Sequence, residues 1–359
     1  MKKIILTGGG TAGHVTPNIA LVPRLKEFDY EISYIGSYEG IEKKLAGESQ
    51  IPYYGISSGK LRRYFDLKNF SDPFRVLKGY SEAKKLLRNL KPDIIFSKGG
   101  FVSVPVVIAA SRLGIPVIVH ESDMTPGLAN KISFQAASKI CCSFRETIQF
   151  LPKEKAVFTG SPIRKELLSG NKIAALQYTG FTANKPVIVV IGGSLGSASV
   201  NESIRKILPS LLKTFQIIHI CGKSKVDPTL NNLNGYIQYE YITNELPNIF
   251  ALADIIVSRA GSNVLFELLA LRKPNLLIPL PAANSRGDQI LNAKSFEKQG
   301  FSVVLEEENM TDTSLLNSIQ SLYENRSHYI HAMETCADVN AVYTIVDLIE
   351  QTVEGNFSH

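Results

Sequence analysis

Twice along this chain a short, almost wholly apolar run stops at glycines and hands over to a helical pattern. The first is Ile4-Ile5-Leu6-Thr7-Gly8-Gly9-Gly10; the second is Val189-Val190-Ile191-Gly192-Gly193-Ser194. Continuous apolar runs suit strands covered on both faces, and glycine lets the turn that follows stay tight. A later pair repeats the theme. Pro92-Asp93-Ile94-Ile95-Phe96-Ser97-Lys98-Gly99-Gly100 matches Ala253-Asp254-Ile255-Ile256-Val257-Ser258-Arg259-Ala260-Gly261, with Asp254 lying 161 residues beyond Asp93. After each copy come a helical pattern, a proline (Pro116, Pro274) and another apolar strand.

This alternation predicts an α/β fold of two Rossmann-like, doubly wound domains facing each other across a cleft. Strands are expected at 3–7, 32–36, 93–97, 117–120, 139–143 and 156–159, then at 187–191, 216–221, 237–241, 254–258, 275–279 and 302–305. The domains are expected at 1–161 and 162–340, joined near Gly160-Ser161-Pro162, with a C-terminal helix over 341–357 packing back on the first. A length of 359 residues suits two domains of about 150 residues or more each. With 44% hydrophobic and 20% charged residues, the composition excludes wholesale disorder. No run of about 18 apolar residues is present, so no transmembrane helix is expected, and the first apolar run is too short for a signal peptide. None of Cys141, Cys142, Cys221 and Cys336 forms a C-x-x-C pair, which excludes a zinc ribbon and fits a reducing compartment.

The first glycine loop contains Gly8-x-Gly10-x-x-Gly13 between a strand and a helix expected to begin near Val15. That is the phosphate-binding half of a dinucleotide fingerprint. The other half, an acid closing the second strand to hold a ribose, is missing: the strand ends Tyr34-Ile35-Gly36-Ser37, and Glu39 is expected in the next helix. A nicotinamide oxidoreductase is therefore disfavoured. Three further loops, 97–101, 192–196 and 260–263, also follow strands. Glycine loops at the carboxyl ends of strands in two domains suit a ligand with a diphosphate.

His14 falls at an expected helix N-terminus, where the local positive potential keeps an imidazole neutral and able to accept a proton. It is either a general base or a turn residue. Glu121 and Asp123 end a buried strand; they either orient a substrate hydroxyl or assist His14, and Asp123 is equally a cap for the following helix. Glu267 sits about one turn into a helix, placed to take a ribose or simply to favour the helix start. Arg164 either neutralises a departing phosphate or is a surface charge. No D-x-D triplet and no His/Cys cluster of metal spacing occurs, so no protein-held metal is expected. Residues 60–91 hold ten basic residues against three acidic ones, an excess larger than the +6 of the whole chain. Interleaved Leu61, Tyr64, Phe65, Phe70, Phe74 and Leu77 suit an anionic membrane surface. The alternative is an amphipathic helix with its aromatics in the core. No nucleic-acid motif accompanies the patch.

Taken in order, several motifs resemble the MurG family of peptidoglycan N-acetylglucosaminyltransferases, GT-B enzymes of glycosyltransferase family 28. They are Gly9-Gly10-Thr11-Ala12-Gly13-His14, Lys98-Gly99-Gly100-Phe101-Val102-Ser103, His120-Glu121, Gly160-Ser161-Pro162-Ile163-Arg164, Gly192-Gly193-Ser194-Leu195-Gly196, Ser258-Arg259-Ala260-Gly261 and Asp288-Gln289-Ile290-Leu291-Asn292-Ala293. The resemblance implies inverting, metal-independent transfer of GlcNAc from UDP-GlcNAc to the C4 hydroxyl of MurNAc in undecaprenyl-diphospho-MurNAc-pentapeptide (lipid I), giving lipid II. It needs no cofactor. Thr11, Ala12 and Gly13 would lie on the donor-sugar and acceptor side, with His14 and Glu121 catalytic and Asp123 at the substrate. Arg164, Ser194, Ile242, Ser262, Asn263, Val264, Leu265, Phe266, Glu267 and Gln289 would bind UDP-GlcNAc. The implied place of work is the cytoplasmic face of the cell membrane, peripherally bound, beside other proteins of wall synthesis and cell division.

Three positions depart from the family pattern: Ala12 for a common glycine, Asp123 for a usual asparagine, and Asp288 for a common amide. The chain has no tryptophan, so any membrane contact uses Phe, Tyr and Leu. Competing readings are a GT-B transferase acting on another lipid acceptor, a sugar-nucleotide epimerase, and a nucleotide-sensing protein without turnover.

Overall fold

The computed structural model describes residues 1–59, 72–193, 196–336 and 340–357. The chain divides into two units, Met1–Arg164 with Asn340–His359, and Lys165–Val339.

The first unit runs β1 (Lys2–Thr7), α1 (Thr16–Glu27), β2 (Tyr30–Ser37), α2 (Ile41–Glu48), β3 (Tyr53–Ile56), α3 (Asp72–Leu90), β4 (Ile94–Ser97), α4 (Ser103–Arg112), β5 (Val117–Glu121), α5 (Leu128–Phe134), β6 (Lys139–Cys142) and β7 (Ala156–Phe158). Its seven strands are all parallel, in the order β3-β2-β1-β4-β5-β6-β7. Alternate residues of β1 feed opposite cores. Ile4 and Leu6 pack with α1, while Ile5 packs with α3 and α4. This two-sided cover is why the strand reads apolar without a break.

The second unit runs α6 (Lys172–Thr179), β8 (Val187–Ile191), α7 (Ala198–Leu211), β9 (Gln216–Ile220), β10 (Tyr236–Tyr239), α8 (Leu246–Leu252), β11 (Ile255–Ser258), α9 (Ser262–Ala270), β12 (Asn275–Leu277), α10 (Asp288–Lys298), β13 (Ser302–Val304), α11 (Asp312–Glu324) and α12 (Arg326–Glu334). Its sheet is also parallel throughout, in the order β10-β9-β8-β11-β12-β13. In each sheet the strand order reverses beside the first strand, between β1 and β4 and between β8 and β11. These are the switch points where open α/β sheets receive ligands.

All twelve expected strands are present within a few residues of their expected ends, and one was not expected. β3 is a four-residue edge strand with mostly half-buried residues, following Pro52 and containing Gly55. Those residues weaken the apolar signal a central strand would carry.

The chain's last helix, α13 (Val342–Phe357), belongs to the first unit. Ile345, Val346, Ile349 and Val353 join the core built by β1, β2 and α1. Glu350 accepts hydrogen bonds from Lys2 Nζ at 2.7 Å and from the Tyr30 hydroxyl. Among the described residues no helix is long and apolar enough to cross a membrane. Of the basic segment, residues 60–71 lie outside the described residues. From residue 75 onward α3 is amphipathic: Ala83 and Leu87 are buried, while Arg75, Lys78, Lys85 and Arg88 face solvent. Leu77 is an exposed apolar residue on the same helix.

Ile349 is fully buried. Ile349→Ala is expected to destabilise the first unit by about 2–5 kcal/mol. Hydrogen exchange should then speed up in β1, β2 and α1 and stay unchanged in β8 to β13.

Candidate functional site

In the first unit the loops after β1 and β4 meet at the switch point, backbone against backbone. Gly9 N donates to Gly99 O at 3.3 Å, and Lys98 N to Thr7 O at 2.9 Å. A Cβ on Gly100, whose φ is +83°, would lie 2.3 Å from Gly9 O. Only glycine fits so close a crossing. Beneath the first loop, Tyr34 Oη donates to Gly8 O at 2.8 Å and receives a bond from Asn18 Nδ2 at 3.1 Å. Thr11 is exposed, and Ala12, Gly13 and His14 are half-buried in a short 3-10 turn that leads into α1. His14 N donates to Thr11 O at 3.1 Å. The turn delays the helix start to Thr16, one residue beyond the expected Val15.

Lys98 is wholly buried, with Nζ 2.6 Å from His120 Nδ1; His120 Nε2 lies 2.9 Å from Gly160 O. Burial, reinforced by the Lys98 charge, pushes the His120 imidazole well below its usual range. His120 is therefore neutral, with Nε2–H donating to Gly160 O and Nδ1 accepting from Lys98. Burial brings the Lys98 ammonium down to about 7, against the pull of Glu121, Asp123 and, less strongly, Cys141. Asp123, where the family pattern has an uncharged amide, thus helps to balance a buried cation.

The Glu121 carboxylate is buried and occupied. Oε1 accepts from Asp123 N at 3.0 Å; Oε2 accepts from Gly127 N at 3.0 Å and Asn130 Nδ2 at 2.8 Å. These bonds tie Glu121 to both ends of the β5–α5 loop and to α5. Glu39 lies in a turn before α2 rather than in the helix. The acid that reaches the first loop is Glu42, which the sequence reading passed over: its Oε2 accepts from Gly10 N at 3.3 Å.

In the second unit, α9 follows β11 directly. Gly261 at its N-cap is extended and has no side chain to take up first-turn N–H groups. Ser262 is buried, Asn263, Val264 and Glu267 are half-buried, and Leu265 and Phe266 are buried. Phe266 lies edge-on to Phe296 at 5.4 Å. Gln289, on α10, accepts from Leu280 N through Oε1 at 3.1 Å. Ile242 is half-buried in the loop after β10, and Arg164 is the half-buried last residue of the first unit's main segment. Ser194 lies outside the described residues.

Arg259 was present in a motif but had no expected role. Its buried guanidinium donates to Ser197 Oγ at 2.7 Å, to Ser199 Oγ at 3.2 Å, and to Ile278 O and Pro279 O at 3.1 Å each; it also pairs with Glu307. Ser197 is the N-cap of α7. Lys98 and Arg259 occupy matching places in the two repeats, so each unit has a buried cation just past the strand that completes its switch point.

Residues 4–142 match the glycosyltransferase family 28 N-terminal domain, and residues 187–349 match the family 28 C-terminal domain. The chain is 63% identical over 351 residues to a protein of Lachnoclostridium phytofermentans named UDP-N-acetylglucosamine--N-acetylmuramyl-(pentapeptide) pyrophosphoryl-undecaprenol N-acetylglucosamine transferase, covering 98% of this chain and 99% of that one. A Lachnospira eligens protein of the same name is 61% identical, with the same coverage. Among solved structures, the crystal structure of Acinetobacter baumannii MurG is similar with a TM-score of 0.76 at 26% identity, covering 98% of this chain and 100% of that one.

The Lys98 geometry has a consequence for stability. Its amine titrates near 7 when folded, against 10.5 in a free side chain. Between those values the unfolded chain binds more protons, so this group makes stability rise with pH over that window. Lys98→Met removes the dependence. The variant's melting temperature is expected to gain most on the wild type at pH 7 or below, and the gain to shrink towards pH 10. A pH-independent difference between the two melting curves would contradict this.

Proposed function

Because the chain belongs to glycosyltransferase family 28, we propose that it transfers GlcNAc from UDP-GlcNAc to the C4 hydroxyl of MurNAc in lipid I, yielding lipid II and UDP for peptidoglycan synthesis. The observation that carries this is the 63% identity, over 98% of the chain, to a relative named for that transfer. The family match also takes in all four glycine loops.

In this reading the second unit takes the donor. First-turn amides of α9 and the capped start of α7 face the diphosphate, Glu267 the ribose, Ile242 the uracil, and the Gln289 amide the sugar hydroxyls. Arg164 and these amides stabilise the leaving UDP in place of a cation. The first unit takes the acceptor along Thr11, Ala12, Gly13 and the β5–α5 loop. His14 removes the acceptor hydroxyl proton as the oxygen attacks the anomeric carbon opposite UDP, inverting that centre. Glu121 acts at one remove by holding the loop that carries Asp123. The basic face of α3, with exposed Leu77, supports peripheral attachment to anionic lipid on the cytoplasmic side, where a lipid-linked acceptor lies.

The test offers labelled UDP-GlcNAc with lipid I, with another lipid acceptor, and with none. Disaccharide-lipid formation only with lipid I is expected; transfer to the other lipid, or UDP release without acceptor, would replace the reading. His14→Ala should reduce turnover by roughly 10²–10⁴-fold. Near-normal turnover would remove His14 from the base role.

A further inference from the structure

Glu42 lies inside α2 and is completely buried. Three glycines make room for it. A Cβ on Gly9, Gly36 or Gly40 would come within 2.6, 2.6 and 2.1 Å of its side chain, respectively. Its two oxygens serve two segments. Oε1 accepts from Ser37 N at 3.0 Å and from Ser37 Oγ, while Oε2 accepts from Gly10 N. Ser37 is itself held, since its carbonyl accepts from the Tyr53 hydroxyl. On its other side, the first loop is fixed by Gly9 N to Gly99 O and by the close approach of Gly100. The Gly9–Gly10 backbone is thus clamped between a carboxyl group and the second glycine loop. Thr11 to His14 follow immediately.

We propose that Glu42 is a positioning residue for the transfer, setting the backbone from which Thr11 to His14 reach the acceptor. The inference rests on the functional reading above and adds to it a residue that touches neither substrate. The chemistry is specific to a carboxyl group acting as acceptor on both sides. An amide offers one acceptor oxygen and one NH₂ donor. In Glu42→Gln, either Gly10 N–H or Ser37 N–H would face another donor, so one side of the clamp must open. Glu42→Asp keeps both acceptors but is one methylene too short to span the two segments.

The test measures steady-state kinetics with UDP-GlcNAc and a lipid I analogue, together with UDP affinity by calorimetry. Apart from Arg164, the residues assigned to UDP-GlcNAc lie in the other unit, so a loop-positioning role leaves UDP affinity and the KM for UDP-GlcNAc within about twofold of wild type. Turnover in Glu42→Gln is expected to fall by up to about 10²-fold, the scale of a 1 Å misplacement at a reacting centre. Hydrogen exchange should accelerate at residues 8–14 and not in the second unit. Ser37→Ala, which removes one bond and keeps the carboxyl, should show a smaller loss of the same kind, and it carries the test if Glu42→Gln does not fold. Unchanged turnover in the folded variants, or donor affinity falling in step with turnover, overturns the proposal. Failure of the wild type itself to use lipid I would instead overturn the functional reading.

Discussion

The first unit depends on one backbone crossing. β1 and β4 are neighbours, and their outgoing loops must diverge from adjacent points on one sheet edge. Gly9 and Gly100 pass so closely that a methyl group would meet a carbonyl oxygen, and a carbonyl fixed by its own strand cannot yield as a flexible side chain would. Because no side chain intervenes, what the edge presents is peptide N–H and C=O. The N–H groups of Gly9 and Gly10 are themselves spent, on Gly99 O and on Glu42.

Around that crossing the interior carries charge, which is costly unless compensated. The two units solve this similarly with different residues. Lys98 leans on His120 and is balanced by Glu121 and Asp123. Arg259 spreads its donors over two serines and two carbonyls and is balanced by Glu307. The Lys98 amine is brought down to about 7 by its burial. The duplicated scaffold therefore carries different cations at matching places.

Much of this was legible in the sequence, for physical reasons. Strands such as Val187–Ile191 are buried on both faces, so their apolar runs are unbroken. The glycine loops announce themselves because steric exclusion leaves no other residue type at Gly100. The family followed from motifs spread along the whole chain. What escaped was set by distance in three dimensions. β3 has no full core face to pattern it. Glu42 was passed over because the expected place for an acid was the end of β2, whereas this one reaches the loop from within the next helix. The three donors to Glu121 come from a loop and a helix that only folding brings to it. Lys98 looks like any loop lysine until its burial is known.

The second unit is an insertion in the first, which resumes with Asn340 after leaving at Arg164. During translation the ribosome must therefore release the whole second unit before α13 can cover its part of the core built by β1, β2 and α1. Until then that face of the nascent N-terminal sheet is covered only in part, by α1 and α2, leaving an oily surface for chaperones to shield. A stop codon shortly before residue 342 would leave every glycine loop encoded yet deny the first unit the helix that completes its core.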